Sequence, residues 1–208
     1  MKQWAALFGS LALLAPPAAA DQYEGIFDPD DHCVAYRAIK DMLFAKNVVV
    51  VGSSCEVTAT LVSSDDAAGP RVVVEVPIKS LKSGNVLRNY SVYDILGAND
   101  QPNLRFTTEP LDVEALRRDI GMASLVVEGQ LTIAGVDHAV SCAVEVVEFG
   151  GRRFVRGRLS TTFTSFGMET PTGGGGLIAR VHEELDLLVH IDLTQIGGFA
   201  DLLAAVLE

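Results

Sequence analysis

Apolar and polar side chains alternate with a period of two through most of this chain. Val72, Val74, Val76 and Ile78 alternate with Arg71, Val73, Glu75 and Pro77, and Leu104, Phe106 and Thr108 with Arg105, Thr107 and Glu109. The same pattern runs through Leu125, Val127, Leu131 and Ile133, then Val140, Cys142, Val144 and Val146. It returns in Val155, Leu159, Thr161 and Phe163, and in Val181, Leu185, Leu187, Val189 and Ile191. Such alternation predicts strands with one buried and one wet face. Two earlier stretches, Val34–Ile39 and Val48–Val62, also read as strands, the second interrupted near Gly52. About eight strands with hardly any helix imply antiparallel pairing, because parallel neighbours need long crossovers. They close into a barrel or stack as a sandwich, and periodicity does not choose between the two.

Three pieces break the pattern. Residues 79–103 form a long connection, the kind that often serves as a lid or binding loop. Residues 112–120 suit a short surface helix. The tail places Phe199, Leu202, Leu203, Val206 and Leu207 along one helical side, which predicts a short C-terminal helix docked on the barrel. At the other terminus, Lys2, an apolar run from Trp4 to Leu14 and Ala18-Ala19-Ala20 read as a signal peptide over residues 1–20, too short to span a bilayer. Residues 21–208 then form a single domain outside the cytoplasm, with no stable membrane insertion expected.

Charge narrows the function. The chain carries 16 Lys and Arg against 27 Asp and Glu, a formal net charge of −11, one unit more negative without Lys2. Such a surface does not grip phosphate backbones and is repelled by anionic lipid headgroups, which excludes nucleic acid as a partner and argues against a permanent membrane-surface role. Three cysteines, Cys33, Cys55 and Cys142, permit one disulfide in an oxidising compartment. Cys33 with Cys55 is the candidate pair, and three buried thiols are the alternative.

Catalytic chemistry finds little support. His182 and His190 stand about 26 Å apart on an extended strand, too far to share a metal. His32 with Asp28, Asp30 and Asp31 offers cation ligands but reads more simply as a solvated segment. His138 reads as a strand-end residue. Ser83-Gly84 and Ser165-Phe166-Gly167 lack a nucleophile elbow's strand–turn–helix setting. Gly173–Gly176 has no lysine and reads as a hairpin loop rather than a phosphate cradle. Glu183 is either a buried acid near a ligand headgroup or a residue turned outward at a strand-end kink. No catalytic residue, resident metal or cofactor is expected.

Several strings resemble the YceI-like family of polyisoprenoid-binding proteins. VPIKSLKSGNVLRNYSVYDIL, from Val76 to Leu96, is similar to that family's strand followed by Ser-Leu-x-Thr-Gly-Asn and an Arg-Asp pair, matched by Ser80-Leu81, Gly84-Asn85 and Arg88. QPNLRFTTEPL (101–111), GQLTIAGVDHAV (129–140) and Thr164-Ser165-Phe166-Gly167 follow in the family's order. Ser83 stands where Thr is usual, Asn89 where Asp is usual and Phe163 where Arg is usual. The resemblance implies an eight-stranded, lipocalin-like antiparallel barrel, often periplasmic, holding a polyisoprenoid or isoprenoid quinone in an apolar cavity. The departures imply an altered polar rim. On this reading the apolar lining is Val72, Val74, Val76, Leu104, Phe106, Val127, Leu131, Val155, Leu159, Leu185 and Val189. The alternative is a structural or protein-interaction barrel with a filled core and no ligand.

Overall fold

The alternation is realised as one continuous, curled sheet. The structure is a computed structural model that describes residues 25–63, 69–112, 125–173 and 178–200. Its strands are β1 (Cys33–Met42), β2 (Ala45–Ser54), β3 (Thr58–Val62), β4 (Arg71–Pro77), β5 (Asn103–Thr108), β6 (Leu125–Ile133), β7 (Val136–Phe149), β8 (Arg152–Thr162), β9 (Thr172–Gly173), β10 (Ala179–Asp192) and β11 (Ile196–Gly197). A helix, α1 (Val86–Ile95), lies between β4 and β5. The hydrogen-bonded order is β11-β3-β4-β5-β6-β7-β8-β10-β1-β2, with β9 on β10. All pairings are antiparallel except the short β11–β3 contact.

β2 and β3 are one strand bent at Cys55–Val57, so eight strands make the wall. The two ends of the sheet meet where β4 is prolonged by the turn Ile78–Ser80. There Ser53 and Lys82 exchange both backbone hydrogen bonds at 2.9 Å. Just below, the Ser54 and Ser80 hydroxyls lie 2.6 Å apart. These contacts turn a curled sheet into a lipocalin-like barrel and leave the first half of β2 as an open edge.

Antiparallel order assigns the connections to two ends. The upper end carries the β1–β2 and β6–β7 turns, the α1 connection and the β8–β10 connection. The lower end carries the β7–β8 turn and the chain after β10. Inside, Ala38, Ile133, Phe163, Phe166 and Leu185 form an upper core, and Ala59, Ile191, Leu193, Ile196 and Phe199 a lower one.

Three features depart from the sequence pattern. The connection over residues 79–103 holds a ten-residue helix. Asn85 caps it, its side chain accepting from the Arg88 amide at 3.0 Å. The β4 strand is covered on both faces, since Val73 is as buried as Val76 although it points away from Val72 and Val74. A second apolar layer also lies outside the wall, where Leu188 and Ala35 pack against Ile26, Phe27 and Val51. The helix expected over 112–120 falls outside the described residues beyond Asp112. So do the signal segment and the tail beyond Ala200, although Phe199 is described and buried.

Candidate ligand-binding interior

The residues expected to line the barrel share its inner face but divide between its two ends. Leu104, Leu131, Leu159 and Leu185 belong to the upper core. Val72, Val74, Val155 and Val189 pack against the lower one. Val76 is buried opposite Leu104 in register. Phe106 is in register with Val74 on one side and Leu131 on the other, and Val127 with Cys142. Two cross-strand rows run across the wall. In one, Val144, Gly157 and Val189 are in register and continue to Val34 and Ser54. In the other, Leu187 faces Leu159 on one side and Tyr36 on the other, and Tyr36 faces Gly52.

Glycines in these rows make room for large neighbours. A Cβ on Gly52 would stand 2.3 Å from the Tyr36 ring, and one on Gly129 would stand 2.4 Å from the Thr107 carbonyl and 2.6 Å from the Phe106 ring. Each aromatic side chain therefore lies flat on a bare stretch of backbone. The sequence break near Gly52 is the place where Tyr36 rests.

Polar groups gather where Tyr36 meets the α1 connection. The Tyr36 hydroxyl hydrogen-bonds Ser83 and Arg88, and burial pushes its pKa up despite both contacts. Arg88 Nε donates to Ser83 Oγ at 2.8 Å, and its Nη2 donates to the Ser83 carbonyl. Asn89 Oδ1 accepts from the Ser83 amide at 3.0 Å and from its hydroxyl at 2.5 Å. Asn89 thus performs the accepting role a carboxylate would perform there, but leaves the Arg88 charge uncompensated by it. Tyr36 escaped sequence reasoning. Its only signal is a tyrosine on an inward position opposite a glycine in the next strand.

A cleft of about 340 Å³ opens at the upper end between Ile95, Ile133, Val136, Phe166 and Met168. His138 packs edge-on against Phe166 of this lining, with ring centroids 5.2 Å apart. A second, polar concavity of about 560 Å³ lies beside it, lined by Asp41, Thr170, Arg180, His182 and Glu184. Glu183 is turned outward there, its carboxylate accepting from the Thr164 amide at 2.9 Å and hydroxyl at 2.6 Å and from Thr170. These hydrogen bonds hold its pKa down, and the kinked-strand reading of Glu183 is the one the geometry fits.

The histidines are engaged separately. His182 Nε2 lies 3.4 Å from Asp41. His190 is stacked between Phe27 and Phe154 at centroid distances of 5.7 and 4.8 Å, and donates from Nδ1 to the Asp31 carbonyl at 2.7 Å. His32 is buried rather than solvated as the sequence suggested, because its Nδ1 accepts from the Asp192 amide at 3.1 Å. Cys33 and Cys55 are joined in a disulfide. The one grouping of potential metal ligands among the described residues is Asp31 beside these two already bonded sulfurs. Cys142 is a free, half-buried thiol whose pKa burial raises. Ser83 and Ser165 have hydrogen-bonded roles in turns, with Ser165 Oγ 2.6 Å from Thr162 Oγ1. Gly173 pairs with Ala179 at the base of the β9–β10 hairpin.

An antiparallel wall joined at Ser53 and Lys82, an apolar inner face and a polar group around Tyr36 define a lipocalin-like barrel. The family profile of the YceI-like domain matches residues 27–193, and the chain belongs to that family. Its fold is similar to that of a polyisoprenoid-binding domain from Saccharophagus degradans implicated in plant cell wall breakdown, with TM-score 0.54, 15% identity, and 76% of this chain and 91% of that one covered. It is also similar to BcnA of Burkholderia cenocepacia, with TM-score 0.52, 19% identity, and 76% and 94% covered. No curated protein matches the chain in sequence. Among the described residues, no helix is long and apolar enough to cross a membrane.

Proposed function

We propose that this protein binds and carries an apolar isoprenoid-type lipid, a polyisoprenoid or isoprenoid quinone, in its barrel outside the cytoplasm, and performs no catalysis. The observation that carries this reading is the inner face itself. It carries apolar clusters from Phe166 to Phe199 and meets polar groups at the Ser54–Ser80 hydroxyl pair and at Tyr36, Ser83 and Arg88. The tail of such a lipid gains about 25 cal/mol for each Å² withdrawn from water, with little regard to its detailed shape. Selection then falls to the polar end, where Tyr36 and Arg88 offer hydrogen-bond donors to a carbonyl or phosphate oxygen. The expected lining residues are assigned this role as a set. Family membership and the polyisoprenoid-binding relative support the ligand class. The signal-like residues 1–20 and the Cys33–Cys55 disulfide support an exported, periplasmic or secreted protein.

Native mass spectrometry of the purified protein tests the proposal. The expected result is an apolar adduct that organic extraction removes and added isoprenoid quinone restores. A clean protein mass with no uptake of added quinone would overturn it. That outcome favours the filled-core interaction barrel, for which the buried Phe163, Phe166 and Phe199 already supply bulky interior groups.

A further inference from the structure

The β1–β2 turn at the upper end places apolar side chains where a soluble barrel would place polar ones. Lys40-Asp41-Met42-Leu43-Phe44-Ala45-Lys46 is an apolar tip between two lysines. Phe44 is 95% exposed and Leu43 68%. Met42 is exposed beside them and pairs with Ala179, which brings the exposed Ile178 of the neighbouring hairpin to the same tip. The tip is held in shape rather than left loose. Asp41 accepts from the Asn47 amide and from Lys46 Nζ, each at 3.0 Å, and Asn47 takes a left-handed φ of 55°. Asp41 and Lys46 thus form an ion pair across the turn, and the remaining positive charge at the tip comes from Lys40 and from Arg180, which pairs with Asp41 in register.

Charge follows the same direction. Lys40 and Lys46 flank the tip of a strongly acidic protein, while Lys79 and Lys82 stand on the connection after β4, where Lys82 donates to the Lys79 carbonyl and to Tyr93 and its backbone pairs with Ser53. Acidic residues occur there too, among them Glu183 and Glu184 beside Asp41 in the neighbouring concavity, so the attraction is confined to the cationic side chains nearest the apolar tip. Apolar side chains projecting between lysines suit the boundary between lipid headgroups and acyl chains, where the side chain enters and the ammonium stays with phosphate. The cleft bounded by Ile133, Phe166 and Met168 opens at this same end.

We infer that the β1–β2 tip, with Leu43 and Phe44 as its inserting residues, docks the barrel transiently on an anionic lipid bilayer, upper end toward the membrane. The inference rests on the carrier reading for its purpose, since a water-insoluble ligand must be exchanged with a membrane, but its test requires no ligand. Flotation of the purified protein with phosphatidylcholine vesicles, with and without one quarter phosphatidylglycerol, measures it. The protein is expected to float with the mixed vesicles at low salt and less so as salt rises. Leu43→Ser combined with Phe44→Ser is expected to lower that partitioning roughly tenfold or more, with unchanged melting temperature. Phe149→Ser, an exposed phenylalanine of the β7–β8 turn at the opposite end, is expected to leave it unchanged. Absence of flotation, or equal flotation of the double variant, overturns the inference. So does a tip that joins two copies of the protein instead, seen as dimer loss in the double variant without vesicle binding. Flotation by a protein that never carries an adduct would sink the carrier reading alone, and an adduct-bearing protein that ignores vesicles would sink the docking alone.

Discussion

His32 Nδ1 accepts a hydrogen bond from the Asp192 amide at 3.1 Å, across 160 residues of sequence. Its other nitrogen donates to the Val57 carbonyl. Both ring nitrogens are committed in a way that only the neutral imidazole satisfies. The contact ties the segment before β1 to the end of β10 and to the kink between β2 and β3.

The first prediction follows from the cost of protonating this ring. Burial is the largest influence and lowers the His32 pKa, the nearby His190 lowers it further, and the Val57 carbonyl and the Asp192 carboxylate oppose them. With the folded pKa below the ordinary value of 6.5, the unfolded chain takes up the proton first. The stabilisation is therefore fully present above about pH 6.5 and is lost as pH falls. Asp192 remains charged through this range, since Thr194, Gln195 and Arg152 outweigh desolvation and hold its pKa down. Thermal melts of wild type and His32→Asn between pH 7.5 and 5 check this. Asparagine keeps an acceptor but cannot titrate, so the wild type is expected to lose more melting temperature on acidification than the variant. Parallel profiles would show that His32 is not the titrating group.

The second prediction concerns the disulfide. Cys33 opens β1 and Cys55 stands at the β2–β3 kink, with a sequence separation of 22. Closing a loop of that size restricts the unfolded chain by about 3 kcal/mol on the chain-entropy account. Reduction is expected to lower the melting temperature by several degrees. Finding three reactive thiols in the denatured, unreduced protein would exclude the bridge.

Gly129 provides a third test, of packing. Alanine there would meet the Thr107 carbonyl, which belongs to backbone and cannot turn aside, as well as the Phe106 ring. Gly129→Ala is expected to cost about 1–3 kcal/mol in denaturant melts, as overpacked cores do. By contrast, Val126→Lys, on the exposed outer face of the same strand, is expected to change stability by less than about 0.5 kcal/mol.

The inner face was legible in the sequence because a period of two maps directly onto a sheet with one buried side. Val72, Leu104, Leu131, Leu159 and Leu185 all fall where that rule sends them. The rule fails where both sides of a strand are covered. Phe154 and His190 alternate out of the apolar set and are nonetheless buried, because Phe27 folds back over them. It also gives no warning of α1, whose ten residues bury no side chain fully and so carry no helical apolar stripe. That helix is set by its Asn85 cap and by the Tyr93 hydroxyl, which donates to the carbonyls of Lys79 and Leu81 at 3.0 Å. The polar end of the interior is drawn from β1 and from this helix. Its members were therefore visible only as matches to a family string, without the contacts that join them.

The last prediction concerns the lower end. The strand β10 stops at Asp192, whose fully buried carboxylate receives Arg152 at 2.7 Å and the Thr194 hydroxyl at 2.7 Å. This fixes a short turn, Leu193–Gln195, that swings the chain across the barrel's end. Ile196 then pairs with Ala59 in β11, and Gly198, with a φ of 79°, redirects the chain so that Phe199 enters the lower core. Leu193, Ile196 and Phe199 sit against Val72, Val74, Val155 and Val189, four of the residues assigned to the ligand's lining. A side chain in that position is both core and stopper. Phe199→Ala is expected to cost about 3–5 kcal/mol, as large-to-small changes at buried phenylalanines do, and to speed release of bound lipid. The two effects separate in a comparison with Phe154→Leu, which weakens the outer layer without touching the inner face. If the segment only packs, lipid release rises equally for variants of equal stability. If it closes the barrel, Phe199→Ala releases lipid faster than a Phe154 variant matched to it in melting temperature. Stopped-flow transfer of a fluorescent isoprenoid analogue to acceptor vesicles measures the difference, and equal rates would refute the role of Phe199 as a stopper.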